Sequence, residues 1–134
     1  MRAVSFLLAI LAASSPIGVC PPSGVRITCV HDGDSFIVER ERIRIADIDA
    51  PELDGACESE RRLAVRARDR LVTLLNSERY NIIRQGTDRY GRTLAIVTNS
   101  RGSIGDQMVG AGVARPWHAA QAPGSATERA ANGA

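Results

Sequence analysis

The reading turns on DGDSFIVERERIRIADIDAPE, residues 32–52. Ser35 to Glu39 and Arg42 to Ile48 are short runs rich in β-branched residues, which read as two strands. The charged Glu39-Arg40-Glu41-Arg42 between them reads as a hairpin corner. Strand alternation puts Ile43 and Ile45 on one face and Arg42 and Arg44 on the other. Asp32-Gly33-Asp34 is expected to be a tight turn in which Gly33 tolerates positive φ. Pro51 removes a ladder donor and ends the third strand.

Upstream, Val25 to Val30 reads as a first strand, because Val25, Ile27 and Cys29 alternate with Arg26 and Thr28. Downstream, Glu58 to Leu75 reads as a helix with an apolar stripe of Leu63, Ala67, Leu71 and Leu74, ended by Asn76-Ser77. Tyr80 to Arg84 and Thr93 to Thr98 read as strands, with Gln85 to Arg92 a polar loop between them. Ser103 is placed to cap a second helix that runs to about Ala111 and stops at Gly112. Three strands, a helix, two strands and a helix predict an α+β fold, a small five-stranded barrel with two packed helices. No internal repeat or second domain is visible.

The chain has 134 residues, the length of one domain. With 4% aromatic residues, the core must rest on Ile, Val, Leu and Ala. The net charge of +2 is a weak bias toward anionic partners, carried entirely by arginine because lysine is absent. Arg2 followed by Ala3 to Ala13, with Ala12-Ala13-Ser14 as a cleavage site, reads as a signal segment over 1–15. An uncleaved membrane tether is the alternative. Residues 16–24 are then expected as a linker, 25–117 as the domain, and 118–134 as a disordered Ala/Gly/Ser/Pro tail. Export permits disulfides, and Cys20, Cys29 and Cys57 allow one pair without indicating which. No Cys/His spacing suggests zinc.

Five charged residues carry the chemistry: Asp34, Arg44, Asp49, Glu52 and Arg92. Asp34 and Asp49 stand at strand ends and can share a hard cation with a backbone carbonyl and water. Glu52, oriented by Pro51, can position or deprotonate a water. Two guanidiniums can offset charge that builds on a phosphate during attack. Arg89 and Tyr90 can flank a nucleotide by phosphate contact and stacking, and a packing role for Tyr90 is equally open. Asp47, two residues before Asp49, falls on the same strand face and either adds to the cation field or is solvated.

At VHDGDSFIV, ERIRIADIDAPE, DRYGRTLAIV and SIGDQMVGAGVARPW, the chain resembles the staphylococcal nuclease family, in order and spacing from about Val25 to Trp117. The resemblance implies an OB-fold barrel and a Ca²⁺-dependent phosphodiesterase that acts on DNA and RNA and leaves 3′-phosphate ends. By the same resemblance Asp34, Asp49 and the carbonyl of Ala50 hold calcium. Glu52 is the general base, Arg44 and Arg92 clamp the scissile phosphate, and Arg89 and Tyr90 lie near the terminal phosphate. Ser35 stands where the family usually has Thr. The short Ala/Gly-rich segment after Trp117 lacks the third helix of the longest members, and the hairpin at Arg42 is tighter than in some relatives. The substrate-stacking tyrosines near the second helix have no counterpart. The reading is thus an exported, monomeric nuclease with no stable protein partner, the alternative being a non-catalytic OB-fold module that binds nucleic acid.

Overall fold

The structure is a computed structural model and describes residues 15–117; residues 1–14 of the expected signal segment and the tail from 118 lie outside the described residues. In chain order the elements are β1 (Cys29–Asp32), β2 (Ser35–Val38), β3 (Glu41–Ile45), β4 (Ile48–Asp49), α1 (Glu58–Ser77), β5 (Asn81–Thr87), β6 (Thr93–Asn99), β7 (Gly102–Ser103), α2 (Ile104–Gly110) and β8 (Arg115–Pro116). The main sheet runs β1-β2-β3-β6-β5, with β7 added to β6, and β4 pairs β8 in a separate two-stranded sheet. All pairings are antiparallel except β3 with β6. The five long strands and two helices match the expected α+β architecture. The expected barrel is not hydrogen-bonded shut, since no ladder joins β1 to β5.

The alternation in β3 holds: Ile43 and Ile45 are fully buried, while Arg42 is exposed and Arg44 half-buried. Strand β3 ends earlier than Ile48, however. A turn at Ala46-Asp47 intervenes, and Ile48-Asp49 pair with Pro116 and Arg115 instead. The first strand also starts later than expected, with Val25 and Ile27 exposed. Residues 27–28 are used otherwise. The Ile27 carbonyl accepts from the Arg40 N–H at 2.8 Å, and the Thr28 hydroxyl accepts from the Glu39 N–H at 3.1 Å. These bonds hold a tight turn whose two central residues, Glu39 (φ 48°) and Arg40 (φ 68°), lie in the left-handed region, as a two-residue hairpin requires. Without glycine there, each residue costs about 1–2 kcal/mol.

Part of the expected linker is packed. Ile17 is buried, and Asn76 bonds both its N–H and its carbonyl at 2.8 Å. Gly18 to Cys20 lie along Val30 of β1, and Cys20 is disulfide-bonded to Cys29. Cys57 is free and exposed.

Helix α1 extends past Leu75 to Ser77 and buries Ala64, Ala67, Leu71, Leu74 and Leu75, with Leu63 only partly covered. Each fully buried Leu contributes about 1.5–3 kcal/mol. Phe36, Ile43, Ile45, Ile48, Val97, Ile104 and Met108 complete the core. Strand β5 takes in Gln85 to Thr87, past a bulge at residues 84–86, so the polar loop is only Asp88 to Arg92. Ser103 caps α2 by accepting from the Asp106 N–H, and Gly112 (φ 73°) reverses the chain after it. Glu41 on β3 ties the sheet together, accepting from Arg84 of β5 and from the Thr93 hydroxyl of β6. Among the described residues, no helix is long and apolar enough to cross a membrane.

Candidate active site

Asp34 is the pivot. Ser35 pairs with Arg44 across β2 and β3, and the Ile45 N–H continues the ladder to the Asp34 carbonyl at 2.8 Å. This places the Asp34 side chain beside Arg44 and beneath the chain leaving β4. Its Oδ2 accepts from the Ala50 N–H at 2.9 Å. Gly33 does not use the positive φ that glycine tolerates. Glycine is required there for space, because a Cβ would lie 2.6 Å from the Ala67 Cβ and 2.9 Å from the Ala50 Cβ. The close approach to α1 is what draws residues 32–34 and 50 together.

Arg44 joins the two carboxylates. Its Nη2 lies 3.4 Å from Asp34 Oδ2 and 3.8 Å from Asp49 Oδ1. Its Nη1 donates to the carbonyl of Ile48 at 2.9 Å and to that of Ile45. A guanidinium alone can hold this many acceptors in fixed directions.

Negative charge still exceeds positive. Burial, then the neighbouring Asp32 carboxylate, push the Asp34 carboxyl up to about 7 despite Arg44. Asp32 goes the other way. Burial opposes its ionisation, but hydrogen bonds from Asp34 and Ser35 and the charge of His31 outweigh it. The Ser35 hydroxyl donates to Asp32 Oδ1 at 2.7 Å. Glu52, on the exposed turn closed by the Gly55 N–H on its carbonyl, is raised by burial first and then by Asp32, Asp49 and Asp54. Asp32 thus acts on both Asp34 and Glu52, and Asp49 acts on Glu52, with Arg44 opposing the rise at each.

The 88–92 loop is built by Asp88. Its carboxylate accepts from the N–H groups of Tyr90 and Arg92 at 2.9 Å and from Arg92 Nε at 2.7 Å. Arg42 donates to the Tyr90 carbonyl and pins the loop to β3. Tyr90 is exposed, with the guanidiniums of Arg89 and Arg92 at 4.8 and 5.6 Å from its ring centre.

Two cavities have wall residues bonded to Asp34. One, of about 410 Å³, is lined by Asp49, Ala50, Glu52, Glu60 and Arg115 among others. The second, of about 620 Å³, holds Arg92 with Asp32, Ser35 and Tyr90. Asp34 is bonded to a wall residue of each, Ala50 and Asp32. Asp34, Asp49, Ala50, Arg44 and Glu52 therefore come together as the sequence suggests. Arg92 and Tyr90 stand on the other cavity, and no ion pair links Arg92 to Asp34, Asp49 or Glu52 among the described residues. Arg89 points along Tyr90, donating to its hydroxyl at 2.7 Å.

Asp47 does not join the site. The turn at 46–47 breaks the alternation, and its Oδ2 accepts from the Ser103 hydroxyl at 2.8 Å while its Oδ1 is buried against Gly105. Asp32 and Arg115 were missed by the sequence reading. Asp32 is visible as the first member of DGD, where it passes for a turn residue. Arg115 bonds Asp49 Oδ2 at 3.1 Å across the β4–β8 pair, and no local signal announces a contact 66 positions away.

For a metal, the donor set fits a hard cation. Asp34, Asp49 and a backbone carbonyl at Ala50 would present only oxygen donors. Among the described residues there is no cluster of three or more His, Cys, Asp or Glu side chains that could hold an ion.

The family model of staphylococcal nuclease homologues matches residues 42–132. The chain belongs to this family. A protein from Haemophilus influenzae named an uncharacterized endonuclease is 33% identical over 91 residues, 68% of this chain and 46% of the relative. A micrococcal nuclease from Shigella flexneri is 42% identical over 72 residues, 51% of this chain and 38% of the relative. The chain thus spans less than half the length of these curated relatives. The staphylococcal nuclease match includes Arg44, Asp49, Ala50, Glu52, Arg89, Tyr90 and Arg92 and begins after Asp34. Asp34 joins the set through its contacts with Ala50 and Arg44.

Proposed function

We propose that the chain is an exported, Ca²⁺-dependent nuclease that hydrolyses phosphodiester bonds of DNA and RNA and leaves 3′-phosphate ends. The observation that carries this reading is Arg44 between Asp34 and Asp49, with Glu52 electrostatically coupled to the same group. The excess of carboxylates over cations there is an incomplete charge balance that a divalent ion restores. Membership in the staphylococcal nuclease family and the names of the two relatives support the activity class. The Cys20–Cys29 disulfide supports an oxidising compartment.

Asp34, Asp49 and the Ala50 carbonyl would hold the ion, which when bound would supply charge stabilisation to the phosphate. Glu52 orients a water for in-line attack on phosphorus and accepts its proton. The bond from phosphorus to the 5′ oxygen breaks, that oxygen takes up a proton, and phosphate stays on the 3′ side. Arg44, beside Asp34, and Arg92, on the cavity lined by Asp32, offset the charge that develops on the phosphoryl oxygens. A raised Glu52 carboxyl is a stronger base than an ordinary one once ionised, which suits proton acceptance.

The test is cleavage of single-stranded DNA with Ca²⁺ or with EGTA, followed by analysis of the ends. Calcium-dependent cuts with 3′-phosphate ends are expected. Glu52→Ala, on an exposed turn, should lose about 10²–10⁴-fold in turnover with an unchanged circular dichroism spectrum. Binding of the strand with no cleavage by the folded, calcium-supplied protein overturns the nuclease reading in favour of a binding module.

A further inference from the structure

The two cavities differ sharply in charge. The first has three carboxylates, Asp49, Glu52 and Glu60, against Arg115 alone. The second has four arginines, Arg26, Arg40, Arg42 and Arg92, against Asp32 alone. We propose that the second cavity is a nucleic-acid subsite in which Arg26, Arg40 and Arg42 hold backbone phosphates of the strand beyond the one being cut. The polyanion's identity rests on the nuclease reading; the site itself rests on the geometry.

Most arginines near the chemistry are already neutralised. Arg44, Arg84, Arg92 and Arg115 each pair with a carboxylate. Among the described residues Arg26, Arg40 and Arg42 have no such partner. Arg26 Nε donates to the Pro21 carbonyl at 3.1 Å, which aims the guanidinium and leaves its two terminal nitrogens free. Arg42 is fixed by the Tyr90 carbonyl. Arg40 sits at a turn position with positive φ, a conformation a non-glycine residue adopts at a cost. The Ile27 carbonyl holds that turn in place, so the strap carrying Arg26 and the hairpin carrying Arg40 are bonded into one wall. Three unpaired guanidiniums around one concavity repel one another, and an anion with several regularly spaced charges relieves that repulsion. Arg92 lines the same cavity as these three residues. The acidic first cavity repels phosphate and suits water and the cation instead.

The test uses the full mature chain in EGTA, where nothing is cut, and a fluorescein-labelled oligothymidine of about twelve nucleotides. Binding is measured as salt is raised. Each phosphate contact on a single strand contributes about 0.7 to the slope of log affinity against log salt. Arg26→Ala/Arg40→Ala should lower the slope by about 1.4 and weaken binding at least about tenfold at low salt. Arg26→Lys/Arg40→Lys should keep most of the slope. Arg66→Ala/Arg70→Ala, on the exposed face of α1, removes the same charge elsewhere and should change neither quantity. A slope that is unchanged in the first variant, or that falls equally in the α1 variant, overturns the subsite. So does a wild-type chain that fails to bind at low salt. Cleavage of a dinucleotide in Ca²⁺ is scored separately and should match wild type in Arg26→Ala/Arg40→Ala. Arginine-dependent binding with no cleavage of any substrate supports the subsite while removing the nuclease reading.

Discussion

The Ala50 N–H donates to Asp34 Oδ2 at 2.9 Å, joining two residues 16 positions apart at the ends of different strands. That bond orients the Asp34 carboxylate toward Arg44, so the two halves of the site are set before any ligand arrives. The same oxygen meets Arg44 Nη2 at 3.4 Å. Arg44 in turn fastens the turn between β3 and β4 through the Ile45 and Ile48 carbonyls. Site geometry and backbone course are thus held by one set of bonds.

Arg44→Lys is therefore not conservative. An ammonium cannot serve two carbonyls and two carboxylates with directed bonds. Turnover on single-stranded DNA should fall by about 10²-fold or more. The melting temperature should also drop, because the Ile45 and Ile48 carbonyls lose a donor. Steady-state kinetics beside thermal melts check both, and wild-type turnover in the lysine variant contradicts the assignment.

Gly33→Ala tests the contact between the DGD turn and α1. The new Cβ meets the Ala67 and Ala50 Cβ atoms at 2.6 and 2.9 Å, and neither has a flexible end that can move aside. Overpacking of this kind costs about 1–3 kcal/mol. Urea titration should show the loss. Calcium affinity should weaken with it, since the displaced residues carry Asp34 and Ala50.

Arg115→Ala should strengthen calcium binding. Arg115 would compete with a bound cation for Asp49 Oδ2, and its own side chain is 81% exposed. Exposed pairs of this kind are worth about 0.2–1 kcal/mol, or roughly 1.4- to 5-fold in affinity. Calorimetric titration of Ca²⁺ into both proteins reads the difference. Weaker binding in the variant means that Arg115 positions Asp49 and does not compete for it.

Glu41 supplies an acid-sensitive contribution to stability. The hydrogen bonds from Arg84, outweighing the small cost of burial, hold its carboxyl down at about 2, well below its ordinary 4.5. A carboxyl depressed by folding stabilises the fold above the unfolded value, and that contribution disappears as pH falls from 4.5 through about 2. The pair is largely solvated, so screening limits it to about 0.5–1 kcal/mol. Glu41→Gln should be less stable than wild type by that amount at pH 6, as read by urea midpoints. The two proteins should converge near pH 2, and a gap that persists there assigns the effect to packing.

The local pattern carried much of this protein. Period-two alternation placed Ile43 and Ile45 inward and Arg44 outward, because side-chain direction in a strand depends only on parity. The stripe from Leu63 to Leu74 marked α1, and Ser103 and Gly112 marked the ends of α2, because caps and reversals are chemistry of one or two residues. The DGD and DAPE motifs named Asp34, Asp49 and Glu52 for the same reason.

What the tertiary structure alone decided involves residues far apart in the chain. Parity failed at Asp47 once β3 turned after Ile45, and Asp47 went to Ser103, 56 positions away. Gly33 is glycine because α1 passes close to it, which no turn propensity encodes. The pairing of Cys20 with Cys29 followed from Gly18 to Cys20 lying along β1. Asp32 and Arg115 entered the site through contacts, not motifs. The cationic cavity exists only because the 27–28 strap, the Glu39-Arg40 hairpin and the 88–92 loop meet in space. Local sequence sets which way a side chain points, whereas charge balance, space and pairing belong to neighbours that only the folded chain brings together.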